Sequence, residues 1–198
     1  MPFEDGADAV VVQQVDDKNW EVRKDLCYRG NEQRWTVPAG SGTDFASVPR
    51  VLVWFLPRYG RYTKAAILHD FLWRHKAVTG EISWVDADGT FRRAMRELGV
   101  PFLRRWMMWS AVRWAALFKP GGRTGWLKES WRVVLVSLVA LPFVVPPAAV
   151  ILVTLLVFLL FEAILYVPLK AASLVRSKVT SQPPTKKVNA PTLYLSTS

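Results

Sequence analysis

Two short stretches of the sequence carry the side chains that could do chemistry. Residues 65–74 read AAILHDFLWR and place His69 beside Asp70, and a second stretch shortly after them brings Asp88. A histidine that acts as a general base needs a partner that fixes its tautomer, and a carboxylate is the usual choice. We therefore predict that His69 is the base of a water-activating site and that Asp88 orients its ring.

Asp70 cannot share the role of His69, because consecutive residues of a helix point about 100° apart. It is free to bind a hard cation, and Asp44 in the preceding loop adds further oxygen ligands. Calcium takes loop carbonyls together with carboxylates, so we predict a Ca²⁺ site at Asp70 and Asp44. Zinc is disfavoured, because two histidines and one cysteine without ligand spacing do not make a tetrahedral site.

The same residues also fit a purely structural role. His69 and Asp70 could hydrogen-bond to Arg50, Tyr62 or the backbone, because structural networks use such pairs as well. Arg50 and Trp73 are predicted to support the His69–Asp70 pair. The residues alone leave the catalytic and the structural interpretation of this pair open.

Two predicted helices position these groups. Helix-forming residues and apolar spacing predict a first helix over residues 62–76. Ser83 is a typical N-cap, a second apolar stripe runs over residues 84–98, and Gly99 is a typical C-cap. In such a helical pair, Asp88 near the start of the second helix faces His69 near the end of the first.

The fold class predicted from the sequence is α+β. Apolar runs at residues 10–15, 20–28 and 34–37 predict a small N-terminal antiparallel β-meander, and Ser47 could cap a short helix after it. A helical bundle follows, whose last helix opens at Pro101 and runs through Phe118. That helix is rich in tryptophan and arginine, which fits either a membrane interface or a core helix with a solvated basic edge.

The C-terminal part of the chain is predicted to be a separate apolar unit. Residues 119–127 form a linker, and the chain carries no charge from residue 133 to residue 161. Because Pro146 and Pro147 interrupt this run, we predict a transmembrane-like hairpin of two helices over 128–168, with basic residues placing both ends on the cytoplasmic side. The alternative is a helical hairpin buried in a large assembly. Residues 169–198 are predicted to form an extended basic tail rich in Pro, Ser and Thr.

Composition favours an anionic partner. The net charge is +10, the chain has ten tryptophans, and its basic residues concentrate around the apolar segment. Membrane lipid explains this pattern better than nucleic acid does. The tryptophans predicted to contact the membrane are Trp106, Trp109, Trp126 and Trp131. A single cysteine fits a reducing compartment, and residues 1–9 lack the features of a cleaved secretory signal.

Several ordered motifs resemble one family. TVPAG at 36–40, TDFASVPR at 43–50, YGRYTKAA at 59–66, LHDFLWR at 68–74 and ADGTFRRAM at 87–95 are similar to a small family of uncharacterised proteins of phages, prophages and bacteria. The resemblance covers about residues 10–118. It implies a phage or prophage origin and brings no settled activity.

A narrower resemblance concerns the helices that carry His69 and Asp88. HDFLWR followed by DGTF resembles the catalytic helices of bacterial secretory phospholipases of the A-two type. The resemblance implies that His69 is the base, Asp70 the calcium ligand and Asp88 the orienting partner. Those enzymes usually have disulfides, which this chain cannot form, and their calcium loop has only a loose counterpart in residues 39–44.

Two functions follow from the sequence. The first is a membrane-associated, calcium-dependent hydrolase of phage origin that acts on lipid. The second is a non-enzymatic virion component, such as a tail protein, whose apolar hairpin engages the host membrane or neighbouring subunits. The expected location is accordingly the host membrane or the phage particle.

Overall fold

The computed structural model describes residues 3–4, 10–17, 19–30, 33–45, 48, 52–57, 59–180 and 190–191. It confirms the α+β class, with small antiparallel sheets followed by helices. The elements in chain order are β1 (Val12–Gln14), β2 (Trp20–Val22), β3 (Leu26–Arg29), β4 (Arg34–Val37), β5 (Gly42–Thr43), α1 (Thr63–Phe71), a π-turn (Leu72–Lys76), α2 (Trp84–Glu97), α3 (Phe102–Ala116) and α4 (Trp126–Thr180).

The strands form two sheets. β1, β2 and β5 make one antiparallel sheet in that order, and β3 pairs with β4 in the other. The predicted strand over 20–28 is therefore two strands, because the chain bends between Val22 and Leu26 so that both side chains enter the core. Asp25 stabilises this bend by accepting a hydrogen bond of 2.7 Å from the Ala39 N–H. β5 directly precedes Asp44, in the stretch before the first helix, and carries Thr43 toward that helix.

The first predicted helix is present with one irregularity. α1 ends at Phe71 and continues as the π-turn, in which the Ala77 N–H donates to the Leu72 carbonyl over 2.7 Å. The caps predicted for the second helix are confirmed. The Ser83 side chain accepts from the Asp86 N–H over 3.1 Å, and Gly99 follows α2 with a φ of 71°. The short helix predicted to begin at Ser47 lies outside the described residues.

α3 is a core helix. It packs between α2 and α4 and buries six side chains: Met107, Met108, Trp109, Ser110, Arg113 and Ala116. The prediction that Trp109 contacts a membrane is wrong, because its indole is 1% exposed and packs against Trp106 at a centroid distance of 5.3 Å. Trp106 and Trp126 are half-buried, and Trp131 is exposed.

The predicted apolar hairpin is wrong. α4 is one continuous helix of 55 residues that contains Pro142, Pro146, Pro147 and Pro168. A proline in a helix removes one backbone hydrogen bond, whereas a reversal at this point would leave several backbone groups without partners. Residues 138–153 offer no Gly, Asn, Asp or Ser that would support a tight turn. The two ends of a hairpin lie on one side of a membrane, whereas the two ends of a single spanning helix lie on opposite sides, so the predicted placement of both ends on the cytoplasmic side does not hold for α4.

The first turns of α4 pack on α3, and the rest of the helix projects away. Val133 is fully buried, and the Ser137 hydroxyl accepts a hydrogen bond of 3.0 Å from the Trp114 indole. Between residues 134 and 175 no side chain of the helix is buried. α4 is long and apolar enough to cross a membrane, judged by length and composition alone.

The loop between α3 and α4 packs closely against the helical bundle, and its glycines permit this. A Cβ on Gly122 would lie 2.3 Å from the Ala116 carbonyl oxygen and 2.9 Å from the Trp73 ring. Gly121 has a φ of 78°, and a Cβ there would lie 2.5 Å from the Trp84 indole nitrogen.

We predict that Gly122→Ala lowers the free energy of unfolding by about 2–3 kcal/mol, because the new methyl group meets backbone that cannot move aside. Gly89→Ala is the matched control, since its Cβ meets nothing within 4 Å. In the middle of α2 that change should stabilise by about 0.5–1 kcal/mol. Denaturant unfolding in detergent measures both, and equal effects of the two substitutions would contradict the packing described.

Candidate functional site

Two neighbouring faces of the first helix hold the candidate site. His69 and Trp73 are four residues apart and share the face that meets α2, and Asp70 and Arg74 share the face that meets the loop after β5. Trp73 lies in the π-turn, a widened helical turn of a kind that is frequent at functional sites. The helix therefore separates a histidine face from an aspartate face.

The Asp88 carboxylate is the centre of the histidine face. It is fully buried near the start of α2, and its Oδ1 lies 2.7 Å from His69 Nε2 and 2.7 Å from Trp73 Nε1. Its Oδ2 accepts a hydrogen bond of 2.9 Å from Arg113 Nη1. The expected contact between His69 and Asp88 is thus present, and it is part of a larger network.

Arg113 connects this network to the apolar helix. Its side chain is fully buried, and its Nε lies 3.4 Å from Glu129 Oε2 in the first turn of α4. A buried guanidinium needs an anionic partner, and Asp88 and Glu129 provide two. The charges of α2, α3 and α4 therefore meet at one point.

The hydrogen bonds assign the tautomer of His69. Asp88 Oδ1 already accepts from Trp73, so the carboxylate acts as an acceptor and the proton of the neutral imidazole belongs on Nε2. Nδ1 then carries the lone pair, and no described residue is hydrogen-bonded to it. The ring is held by Phe91 at a centroid distance of 4.8 Å. The imidazole is 12% exposed, which leaves it an accessible edge.

The aspartate face is built on a strained loop. Asp70 Oδ2 accepts a hydrogen bond of 2.5 Å from Thr43 Oγ1, which itself accepts from the Phe45 N–H over 3.0 Å. Phe45 has a φ of 58°, a conformation that bulky residues rarely adopt and that is often found at functional sites. Asp44, between these two residues, forms an ion pair of 3.1 Å with Arg74.

Burial, and after it the nearby Asp44 carboxylate, raise the pKa of Asp70 to about 7. The Thr43 hydroxyl, His69 and Arg74 act in the opposite direction and do not cancel this shift. A buried carboxylate next to a second carboxylate forms a site where a cation would be favourable.

Both faces line one cavity of about 700 Å³. His69, Asp70 and Asp44 are among its polar residues, and the remaining wall is mainly apolar. The apolar residues are Phe45, Val48, Leu56, Ala66, Trp73, Ala77, Val78, Trp84, Phe91, Met108, Ala111, Val112, Ala115 and Ala116. Exposed Lys119 and Pro120 lie at the edge, so the cavity reaches the surface.

The structure thus brings four predicted residues, His69, Asp70, Asp44 and Trp73, to one cavity and places Asp88 directly behind it. Arg50 lies outside the described residues. The alternative partner Tyr62 does not bond to the pair, because its buried hydroxyl has no hydrogen-bond partner within the described chain. His75 is exposed and stacks on Phe71.

The sequence interpretation missed Arg113 and Thr43. The sequence interpretation leaves the arginines of the last bundle helix at a membrane interface or on a solvated edge, whereas Arg113 lies four residues after Trp109 on the buried stripe of α3. An arginine on an apolar stripe indicates a buried acidic partner, and this signal could have identified it. Thr43 had no comparable signal, because its role depends on how the loop folds.

The predicted calcium site has suitable donors but few of them. Asp70 and Asp44 supply carboxylate oxygens of the kind Ca²⁺ prefers, beside loop carbonyls. Among the described residues no group of three or more His, Cys, Asp or Glu side chains converges. Arg74 already neutralises Asp44, so a cation would share or displace that contact.

Comparisons with known proteins identify a related domain of unknown function. Residues 20–112, slightly less than half of the chain, match the family described as "Protein of unknown function (DUF1353)". An uncharacterised protein, y4jT of Sinorhizobium fredii (strain NBRC 101917 / NGR234), is 34% identical over 85 residues. That match covers 41% of this chain and 24% of the relative, so this chain spans about a quarter of the relative's length. No solved structure matches significantly.

The region that matches the family contains the candidate site residues and ends just before Arg113. It contains His69, Asp70 and Asp88, and it ends one residue before Arg113. The histidine and both of its neighbouring acids therefore lie in the part that resembles the family, and α4 lies outside it.

We predict that Asp88→Asn lowers the free energy of unfolding by about 2–4 kcal/mol, because it leaves the buried Arg113 guanidinium without its closest anion. Asp86→Asn is the control on the same helix, where the carboxylate is exposed and only the N-terminal turn is affected. That change should cost less than about 1 kcal/mol. Denaturant unfolding measures both, and a small effect of Asp88→Asn would contradict the network.

We predict that Asp70→Asn stabilises the protein at high pH only. An aspartate in the unfolded chain has a pKa of about 3.9, which is lower than the pKa of Asp70 in the folded protein. Between these two values the folded state holds a proton that the unfolded state has released. The free energy of unfolding therefore falls as the pH rises from about 4 to about 7. With EDTA present, the variant should gain about 1–3 kcal/mol over the natural chain at pH 8 and nothing at pH 4. Unfolding curves at both pH values test this, with exposed Asp17→Asn as the control. A gain at pH 4 as large as at pH 8 would contradict the buried charge.

Proposed function

We propose that this protein is a hydrolase that cleaves esters of long acyl chains, as found in membrane lipids, with His69 as the general base. One observation carries the proposal: a histidine fixed by a buried carboxylate borders an open apolar cavity that also contains two acids. Structural histidine networks do not need an open cavity, whereas a catalytic histidine must reach its substrate.

The cavity suits an acyl substrate. Its volume of about 700 Å³ lies within the range of small-molecule sites, and its wall is predominantly apolar. The polar residues Asp44, His69, Asp70 and Arg74 lie on the side of the cavity formed by the first helix and the loop after β5. An apolar chain in the cavity would thus place its ester near His69 and Asp70.

In the proposed reaction, Nδ1 of His69 takes a proton from a water molecule as the water oxygen bonds to the ester carbonyl carbon. Asp88 stabilises the imidazolium that forms and keeps the ring oriented. The tetrahedral intermediate then collapses, the carbon–oxygen bond to the alcohol breaks, and His69 returns its proton to the leaving alkoxide. The products are a fatty acid and an alcohol.

Calcium is part of the proposal. Asp70 and Asp44 would hold it together with loop carbonyls, and a bound Ca²⁺ would stabilise negative charge on the ester oxygen. Burial and then the Asp44 carboxylate raise the pKa of Asp70, and a bound cation would compensate for both, which supports a cation here.

The proposed location is a membrane, with α4 as the anchor. The support is the apolar, largely exposed length of this helix. A phage or prophage origin is also proposed, on the sequence motifs at residues 36–50 and 68–95.

The test is fatty acid release from phosphatidylglycerol vesicles at pH 8 by the detergent-purified chain, with Ca²⁺ and with EDTA. We expect release with Ca²⁺, a loss of about 100-fold or more in His69→Ala, and little change in the control His75→Ala. Equal release by the natural chain and His69→Ala, or no release by either, would overturn the proposal.

A second candidate is a non-enzymatic virion component, such as a tail protein. It is favoured by α4, whose uncovered apolar length could engage a host membrane or neighbouring subunits. Here His69→Ala lowers stability and leaves vesicle binding intact. Detection of the chain in purified particles by mass spectrometry, without any fatty acid release, would select this candidate.

A further inference from the structure

A group of arginines from three helices is centred on Arg92, near the first turns of α4. Arg92 lies over the Trp106 ring at 4.2 Å, Arg105 over Phe102 at 5.0 Å, and Arg132 over Trp131 at 5.2 Å. Each distance joins a guanidinium carbon to a ring centroid. With the exposed Arg96 on α2, we call these four residues the arginine collar.

The described residues around the collar carry fewer negative charges than the collar carries positive charges. Arg92 is partly buried, and its Nε has no hydrogen-bond partner among the described residues. Burial, and then the neighbouring arginines Arg132, Arg96 and Arg105, lower the pKa of Arg92, while Glu129 acts in the opposite direction. Glu129 already forms an ion pair with Arg113. Among the described residues, Glu129 faces Arg92 and Arg132 and is shared with Arg113, so the collar keeps an excess of positive charge that suits an external anion.

The surroundings of the collar are apolar and exposed. Phe102 is 66% exposed and Trp131 61%, and each ring lies under a collar arginine. Leu127, which is 84% exposed, lies one helical turn before Trp131 on α4. Exposed aromatic and aliphatic side chains interleaved with arginine are typical of surfaces that lie at the headgroup level of a bilayer. A nucleic-acid surface would not need exposed leucine.

The position of the collar also fits a bilayer. α4 leaves the cover of α3 after Ser137, and residues 138–161 then run uncharged for about 36 Å at 1.5 Å per residue. The hydrocarbon core of a bilayer is about 30 Å thick. Arg132 lies five residues before Ser137 and is a neighbour of Arg92, so this part of the collar lies beside the point where such a helix would enter the lipid.

We infer that the arginine collar binds the phosphate groups of an anionic bilayer and thereby seats the globular domain on the membrane surface beside α4. This inference rests on the proposed membrane location and does not depend on hydrolysis. Arginine suits the role because its planar guanidinium pairs with phosphate oxygens and stacks on aromatic rings at the same time.

The test is flotation of the full-length chain with preformed vesicles of phosphatidylcholine alone or mixed equally with phosphatidylglycerol. The variant is Arg96→Gln with Arg132→Gln, and the matched control is Arg29→Gln with Arg34→Gln, which removes two charges from the β3–β4 hairpin. Binding energy of about 1 kcal/mol per basic residue corresponds to roughly ten- to thirtyfold weaker binding of the collar variant to the anionic vesicles. The control should bind like the natural chain.

The outcomes separate the proposals. Equal weakening of both double variants, or equal binding of the natural chain to the two vesicle types, would overturn the collar. Absence of flotation with either vesicle would overturn the membrane location together with it. A single-stranded RNA bound more tightly than the anionic vesicles, with binding lost in the collar variant, would also overturn this inference. The assay does not involve His69, so its result is independent of hydrolysis.

Discussion

The buried carboxylate of Asp88 is the interaction on which the rest of the structure depends. Removing a carboxylate and a guanidinium from water costs several kcal/mol for each ion, and only close, well-oriented partners compensate for this. Asp88 meets the condition with three partners: His69, Trp73 and Arg113. Because these partners come from the first helix, the π-turn and α3, one side chain fixes how three segments pack around α2.

This constraint explains the division of the first helix into two faces. Once His69 and Trp73 turn toward Asp88, the helical period carries Asp70 and Arg74 to the adjacent face. That face meets the β5 loop, where Thr43 binds Asp70 and Asp44 binds Arg74. The cavity lies where the two faces meet α3. Its polar edge is therefore a consequence of the same helix geometry that satisfies the buried charge.

Local signals in the sequence were sufficient for part of this arrangement. Ser83 and Gly99 mark the ends of α2 by their own hydrogen bonding and backbone preference, so they could be identified without knowledge of the packing. The contact between His69 and Asp88 followed from two adjacent helices with complementary groups.

Other features depended on packing that the sequence does not display. Arg113 looks like any surface arginine until α2 and α4 bury it between Asp88 and Glu129. Pro146 and Pro147 suggested a turn by their intrinsic preference, yet the flanking residues offer no polar side chain to complete one. In both cases the decisive factor is where backbone and side-chain polar groups find partners, which is a property of the whole fold.

The first turns of α4 are part of the charge network around Asp88. Glu129 lies one turn inside this helix and faces Arg113, whose Nε and Nη2 make no hydrogen bonds within the described chain. The pair is 3.4 Å apart and is held by charge rather than by a directional hydrogen bond, so the position of Glu129 contributes to the field at Arg113 and Asp88. The first turns of α4 thus belong to the same electrostatic unit as the cavity, even though the family resemblance ends before Arg113.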